Sequence, residues 1–157
     1  MKENTNLTLL SEMLLEENYE TIQIELLQKS PEIYKLGLFY VNAIIKRKSL
    51  IKSLINDNII PYPKEVNDEF IHEYYCELSA YEDCLFECIQ IIELKNTLLD
   101  CLAEIEDKLD SYEDELYPGF LTSEESILEV STMYSTLKKF KVEIEKLLTK
   151  KPIQIYN

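Results

Sequence analysis

Residues 67–116 run for about 50 positions without a glycine or a proline. Mostly apolar residues recur along them at alternating steps of three and four: Ile71, Tyr74, Leu78, Tyr81, Leu85, Cys88, Ile92, Lys95, Leu99 and Leu102. After one repeated step of three the series resumes at Ile105, Leu109, Tyr112 and Leu116. Such steps put side chains on one stripe of a helix, and a sustained seven-residue period is the mark of helices packed side by side, knobs into holes. The repeated step near Leu102 reads as a stammer. One unbroken helix of this length would span roughly 75 Å, far beyond what a globular domain commonly uses. The place for a break is Lys95-Asn96-Thr97, where a charged residue enters the seam and Thr97 with Asp100 can form a capping box. The stretch is therefore either one kinked helix or two helices, with no further signal to choose between them.

The rest of the chain supports an all-α protein. Gly37 and Gly119 are the only glycines, too few for the tight turns of a sheet protein. A first helix is expected over about residues 7–28. Ser30-Pro31-Glu32 is a strong helix start, and the following segment to about Asn56 is apolar almost all round from Leu36 to Ile45. Gly37, within it, is either a point of close helix contact or incidental. Pro61 and Pro63 mark a loop, after which Asn67 is placed to cap the central stretch. Tyr117-Pro118-Gly119-Phe120 is a turn. Thr122 with Glu125 has the form of a second capping box, opening a last helix over about 123–149 with Ile127, Val130, Tyr134, Leu137, Ile144 and Leu148 on one stripe. Pro152 is set to end it. The expected architecture is an elongated antiparallel bundle in one domain spanning 1–157, with the long central stretch packed first on the 31–56 helix and then on the last one.

Charge is distributed unevenly. The chain carries a net charge of −14. Residues 59–118 hold 17 acids against three lysines, which by itself amounts to that excess, while residues 31–58 are basic and residues 119–157 nearly balanced. A charged outer face is ordinary for a surface helix, so part of this charge is set to meet neighbouring cations such as Lys138, Lys139 and Lys141, opposite Glu104, Asp107 and Asp110. The remainder makes an acidic surface suited to a basic protein and unsuited to direct contact with nucleic acid or an anionic membrane. On this reading Glu73, Glu77, Asp83 and Glu87 carry the contact, and Tyr74 and Tyr81 anchor it as interface aromatics.

Chemistry has little purchase. There is no nucleophile elbow and no phosphate-cradling glycine loop. His72 is the only histidine. Glu69-x-x-His72 is half of a di-iron bundle motif that one histidine cannot complete. The carboxylate pairs Glu17/Glu20 and Glu104/Asp107 lie too far apart in sequence for a magnesium-holding helix hairpin. His72, Cys76, Cys84 and Cys88 fall on a four-residue ladder, but the two pairs stand some 18 Å apart along a helix, so only an antiparallel homodimer would bring four ligands together. Small buried core positions suit these cysteines better. No catalytic residue, cofactor or metal site is therefore assigned. The residues point to a non-enzymatic acidic interaction module that occludes a basic, nucleic-acid-binding surface of a partner, as an inhibitor or adaptor of the kind phages and mobile elements carry. An immunity protein or antitoxin, a metal-binding bundle and a scaffolding homodimer are the alternatives. With no secretory signal or membrane-spanning run, a cytoplasmic setting and reduced thiols are expected.

Overall fold

A computed structural model describes residues 24–25, 27–56, 64–93 and 97–155, with side chains described for these except at 56, 64–67 and 150–155. Among the described residues there are four helices and no strand: α1 (Pro31–Asn56), α2 (Lys64–Glu93), α3 (Leu98–Glu115) and α4 (Glu124–Ile155). The expected helix over 7–28 lies mostly outside the described residues.

Of the two readings of residues 95–97, the structure has the split, and α2 and α3 run in opposite directions. Glu87 of α2 meets Cys101 of α3, while Asp83, one turn earlier, meets Lys108, later in α3. The capping box forms: Thr97 Oγ1 accepts from the Asp100 N–H at 3.1 Å, and the Asp100 carboxylate accepts from the Thr97 N–H at 3.2 Å. Two of the donors left orphaned at the start of α3 are satisfied by this exchange. The reversal also accounts for the stammer. Each helix carries its own apolar phase, and in α3 that phase is Leu98, Cys101, Ile105 and Leu109, all buried. Leu99, assigned to the seam by the continuous pattern, is 65% exposed.

The remaining directions follow from cross-helix pairs. Arg47 of α1 pairs with Glu77, and Tyr40, two turns earlier, lies against Tyr81, so α1 and α2 are antiparallel. Tyr134 and Lys141 of α4 reach back to Glu113 and Glu106 of α3. The helices thus run up and down in alternation, and α4 lies against both α2 and α3. The core is built from Tyr40, Val41 and Ile44 of α1, Cys84, Leu85, Cys88 and Ile89 of α2, the α3 quartet, and Leu137, Phe140 and Ile144 of α4. The Tyr40 and Phe140 rings meet edge to face at 5.5 Å. Full burial of side chains such as Leu85 and Ile89 stabilises the fold by about 1.5–3 kcal/mol each. Within the described residues no helix is long and apolar enough to cross a membrane.

Several helix ends differ from the sequence pattern. α2 begins at Lys64, not at Asn67, directly after Pro63, whose residue type suits a helix entry. The α4 cap is Ser123, whose Oγ accepts from the Ser126 N–H at 3.0 Å, so the cap sits one residue beyond Thr122. α4 continues through Pro152 to Ile155. A proline removes the bond to the carbonyl four residues back and strains the turn, but the helical path goes on here. At the α3–α4 connection the Phe120 N–H bonds the Tyr117 carbonyl at 3.1 Å, with Gly119 at φ +90°, a backbone value that favours glycine.

Gly37 is a contact point. Leu27, wholly buried, packs directly on it. A Cβ at Gly37 would come within 2.8 Å of Leu27 Cδ1 and closer still to Cδ2. Gly37→Ala should therefore lower stability by about 1–2 kcal/mol, although alanine is the better helix former by about 1 kcal/mol. In a Leu27→Ala background the same substitution should become stabilising. Denaturant unfolding of the four proteins of this cycle checks the sign reversal.

Candidate functional site

The six residues assigned to partner contact do not form one outward strip. Glu73 alone among the four acids is exposed. Glu77 pairs with Arg47, whose guanidinium lies 5.8 Å from the Tyr74 ring centroid and 5.6 Å from that of Tyr81. Tyr74 stacks on Phe70, and Tyr81 lies against Tyr40. Asp83 faces Lys108 at 3.5 Å. Glu87 is 1% exposed and accepts from Lys108 Nζ at 2.8 Å. The physical reason is the folding back of residues 67–116. With α1, α3 and α4 around it, α2 turns the acids on its flanks toward Arg47 and Lys108.

The densest run of acids outside the ion pairs lies on α3. This helix carries eight carboxylates and one lysine. Lys108 points to α2, Glu106 reaches Lys141 at 3.6 Å, and Glu113 accepts from the Tyr134 hydroxyl at 2.6 Å. Six remain: Glu115, half-buried, and Asp100, Glu104, Asp107, Asp110 and Asp114, all exposed. At 100° per residue the five exposed acids occupy an arc of about 120°, opposite the buried quartet. Among the described residues no lysine or arginine forms an ion pair with any of these five. The expected pairing of Lys138, Lys139 and Lys141 with Glu104, Asp107 and Asp110 does not form among the described residues, and Lys141 meets Glu106. Lys138 sits over the Tyr134 ring instead, 5.0 Å from its centroid. Beyond the C-terminal end of α3, Tyr117 is 73% and Phe120 66% exposed. The last turn of α3 contains no basic residue, so the acids there oppose the negative end of the helix dipole.

A second cluster joins α2 to α4. His72 Nε2 lies 3.8 Å from Cys76 Sγ, and a Glu129 carboxylate oxygen completes a group whose ligand atoms all fall within 4.8 Å of one another. Burial, then the charges of Glu129, Glu73 and Glu77, raise the Cys76 thiol above its ordinary range. The other thiols are core groups. Cys84, Cys88 and Cys101 are buried, Cys101 is pushed up to about 12 by burial and by Glu87, and all four cysteines are free. An open cleft of about 980 Å³ lies between α1 and α4, lined by Phe39, Tyr40 and Tyr81 together with Lys35, Lys139 and Glu143. Phe39 is 60% exposed there.

The buried pair gives the site its clearest electrostatic signature. Burial raises the Glu87 carboxyl above the ordinary glutamate value of 4.5, and Lys108 offsets only part of that. Lys108 is itself held above the lysine range because Glu87 and Asp83 outweigh its own burial. Replacing Lys108 by Met leaves Glu87 buried without a cation. The loss should be about 2–3 kcal/mol at pH 7, below that of a fully buried pair because the Lys108 side chain is 30% exposed. A carboxyl raised in the folded state contributes stability that is present below its unfolded value and lost as pH rises through its folded value. The deficit of Lys108→Met should therefore shrink toward pH 4.5 and grow above it, and urea titrations across that range check this.

Three signals escaped the sequence. The register of α3 decides which acids face out, Glu129 is remote in sequence from His72 and Cys76, and Lys108 looks like one more surface lysine until α2 is laid beside it. Comparison with known protein families, with curated proteins and with solved structures gives no match.

Proposed function

We propose that the chain is a non-enzymatic interaction module that presents the outer face of α3 to a basic protein surface. The observation that carries this reading is the exposed stripe Asp100, Glu104, Asp107, Asp110 and Asp114, none of which forms a close ion pair among the described residues, ending beside Tyr117 and Phe120. Carboxylates at helical spacing offer a row of acceptors to arginine and lysine side chains. Exposed aromatics next to such a row have the chemistry of interface anchors. A partner whose cationic surface normally meets nucleic acid would be occluded, with the carboxylates standing where phosphates stand. Inhibitor, adaptor and antitoxin are versions of this same contact that differ in the partner. The acids shift from those of α2 to those of α3, because α2 spends Glu77, Asp83 and Glu87 internally.

Electrostatics gives this reading a test with two arms. Like charges crowded on one face and set against the helix dipole destabilise the isolated protein, each by about 0.3–1 kcal/mol. Asp110→Lys with Asp114→Lys should therefore raise the melting temperature of the free protein. The same change should abolish salt-sensitive capture of a basic partner by the immobilised chain, while Glu145→Lys, an exposed reversal on α4, leaves capture intact. Capture that survives the α3 reversals, or that is indifferent to salt, removes α3 as the contact.

A further inference from the structure

We infer that His72, Cys76 and Glu129 form a binding site for a thiophilic divalent transition metal, Zn²⁺ being the commonest of that class. The site shares no residue with the α3 stripe and stands independently of it. His72 and Cys76 are one helical turn apart on α2, so their side chains project from the same face, one above the other. Glu129 comes from the second turn of α4, which runs alongside. Imidazole nitrogen, sulfur and carboxylate oxygen are the three donor types that zinc sites draw on. Sulfur in the set disfavours Mg²⁺ and Ca²⁺, which take oxygen ligands.

The distances fit. With Zn–S near 2.3 Å and Zn–N near 2.1 Å, two ligands of a tetrahedron stand about 3.6 Å apart. The His72 Nε2 to Cys76 Sγ separation is 3.8 Å, so this edge is already set. The 4.8 Å limit on the other separations leaves about 1 Å to close, which an exposed glutamate side chain covers by a change of rotamer. On binding, the Cys76 thiol releases its proton to solvent as the metal–sulfur bond forms, and His72 coordinates as neutral imidazole. Glu73, exposed on α2, lies close enough to act on Cys76 electrostatically, and its negative charge favours a dication, whereas Glu77 is already matched by Arg47. Three protein ligands leave the fourth position to water, so the site is open. Its mechanical effect is to pin the early turns of α2 to those of α4. The other cysteines offer nothing comparable, since Cys84 lies about 12 Å further along the helix and the chain has no second histidine.

The test uses the full chain, reduced and stripped of metal with a chelator, titrated with Co²⁺ and then Zn²⁺. One equivalent of Co²⁺ should produce a thiolate-to-cobalt charge-transfer band, and Zn²⁺ should bleach it. Cys76→Ser should remove the band, and Cys84→Ser should keep it. Glu129→Gln, an exposed change that leaves the melting curve of the metal-free protein where it was, should weaken Co²⁺ binding by at least about tenfold. Should Cys76→Ser fail to fold, Glu129→Gln and His72→Ala decide the matter. The site is overturned if the wild-type protein gives no charge-transfer band, if the band survives Cys76→Ser, or if Glu129→Gln binds Co²⁺ as tightly as wild type.

Discussion

Lys108 divides the acids of this protein into two populations. It is the one cation α3 possesses, and it is turned inward, where it bonds Glu87 and faces Asp83 across the helix hairpin. A buried carboxylate is tolerated only with a partner. Glu87 therefore ties the rotational setting of α3 to α2. Once Lys108 points at α2, the rest follows from helical geometry. Leu98, Cys101, Ile105 and Leu109 face the core, Glu106 and Glu113 face α4, and Asp100, Glu104, Asp107, Asp110 and Asp114 face water. The charge that reaches the outside is thus chosen by one internal pair.

Helix identity was legible because it rests on local chemistry. The three-and-four spacing, the prolines before Lys64, the Thr97–Asp100 box and the Pro118-Gly119 turn all act within a few residues, and each leaves a mark in the sequence. The division between the helix ending at Glu93 and the one beginning at Leu98 was visible as a charged intrusion into the seam and a cap beyond it. What the pattern could not show is that the chain reverses there. An apolar period continues almost unbroken across the gap, and only Leu99, carried on the stripe by the period and exposed in the fold, betrays the change of phase.

The candidate site was less legible, for the same reason on a larger scale. Glu73, Glu77, Asp83 and Glu87 look equivalent on a helical wheel of α2. Their fates differ because Arg47 comes from α1 and Lys108 from α3. The four-residue ladder was incomplete for the same reason. His72 with Cys76 stood alone along α2, since the next thiols were too far away, and the carboxylate the fold sets beside them belongs to Glu129 of α4. Pairing across helices is information that one-dimensional spacing does not hold.

The burial of the four thiols has a consequence for how this protein can be watched. Cys84 and Cys88 are wholly enclosed and Cys101 nearly so, while Cys76 keeps 7% of its surface exposed. A thiolate, not a thiol, attacks a disulfide or an alkylating reagent, and enclosure suppresses both the thiolate and the approach of the reagent. Labelling of Cys84 and Cys88 therefore waits on an opening of the helices around them. The chain carries its own clock for that opening, read by mass, and the interval between the labelling of Cys76 and that of the inner pair separates local opening around Cys76 from loss of the whole core.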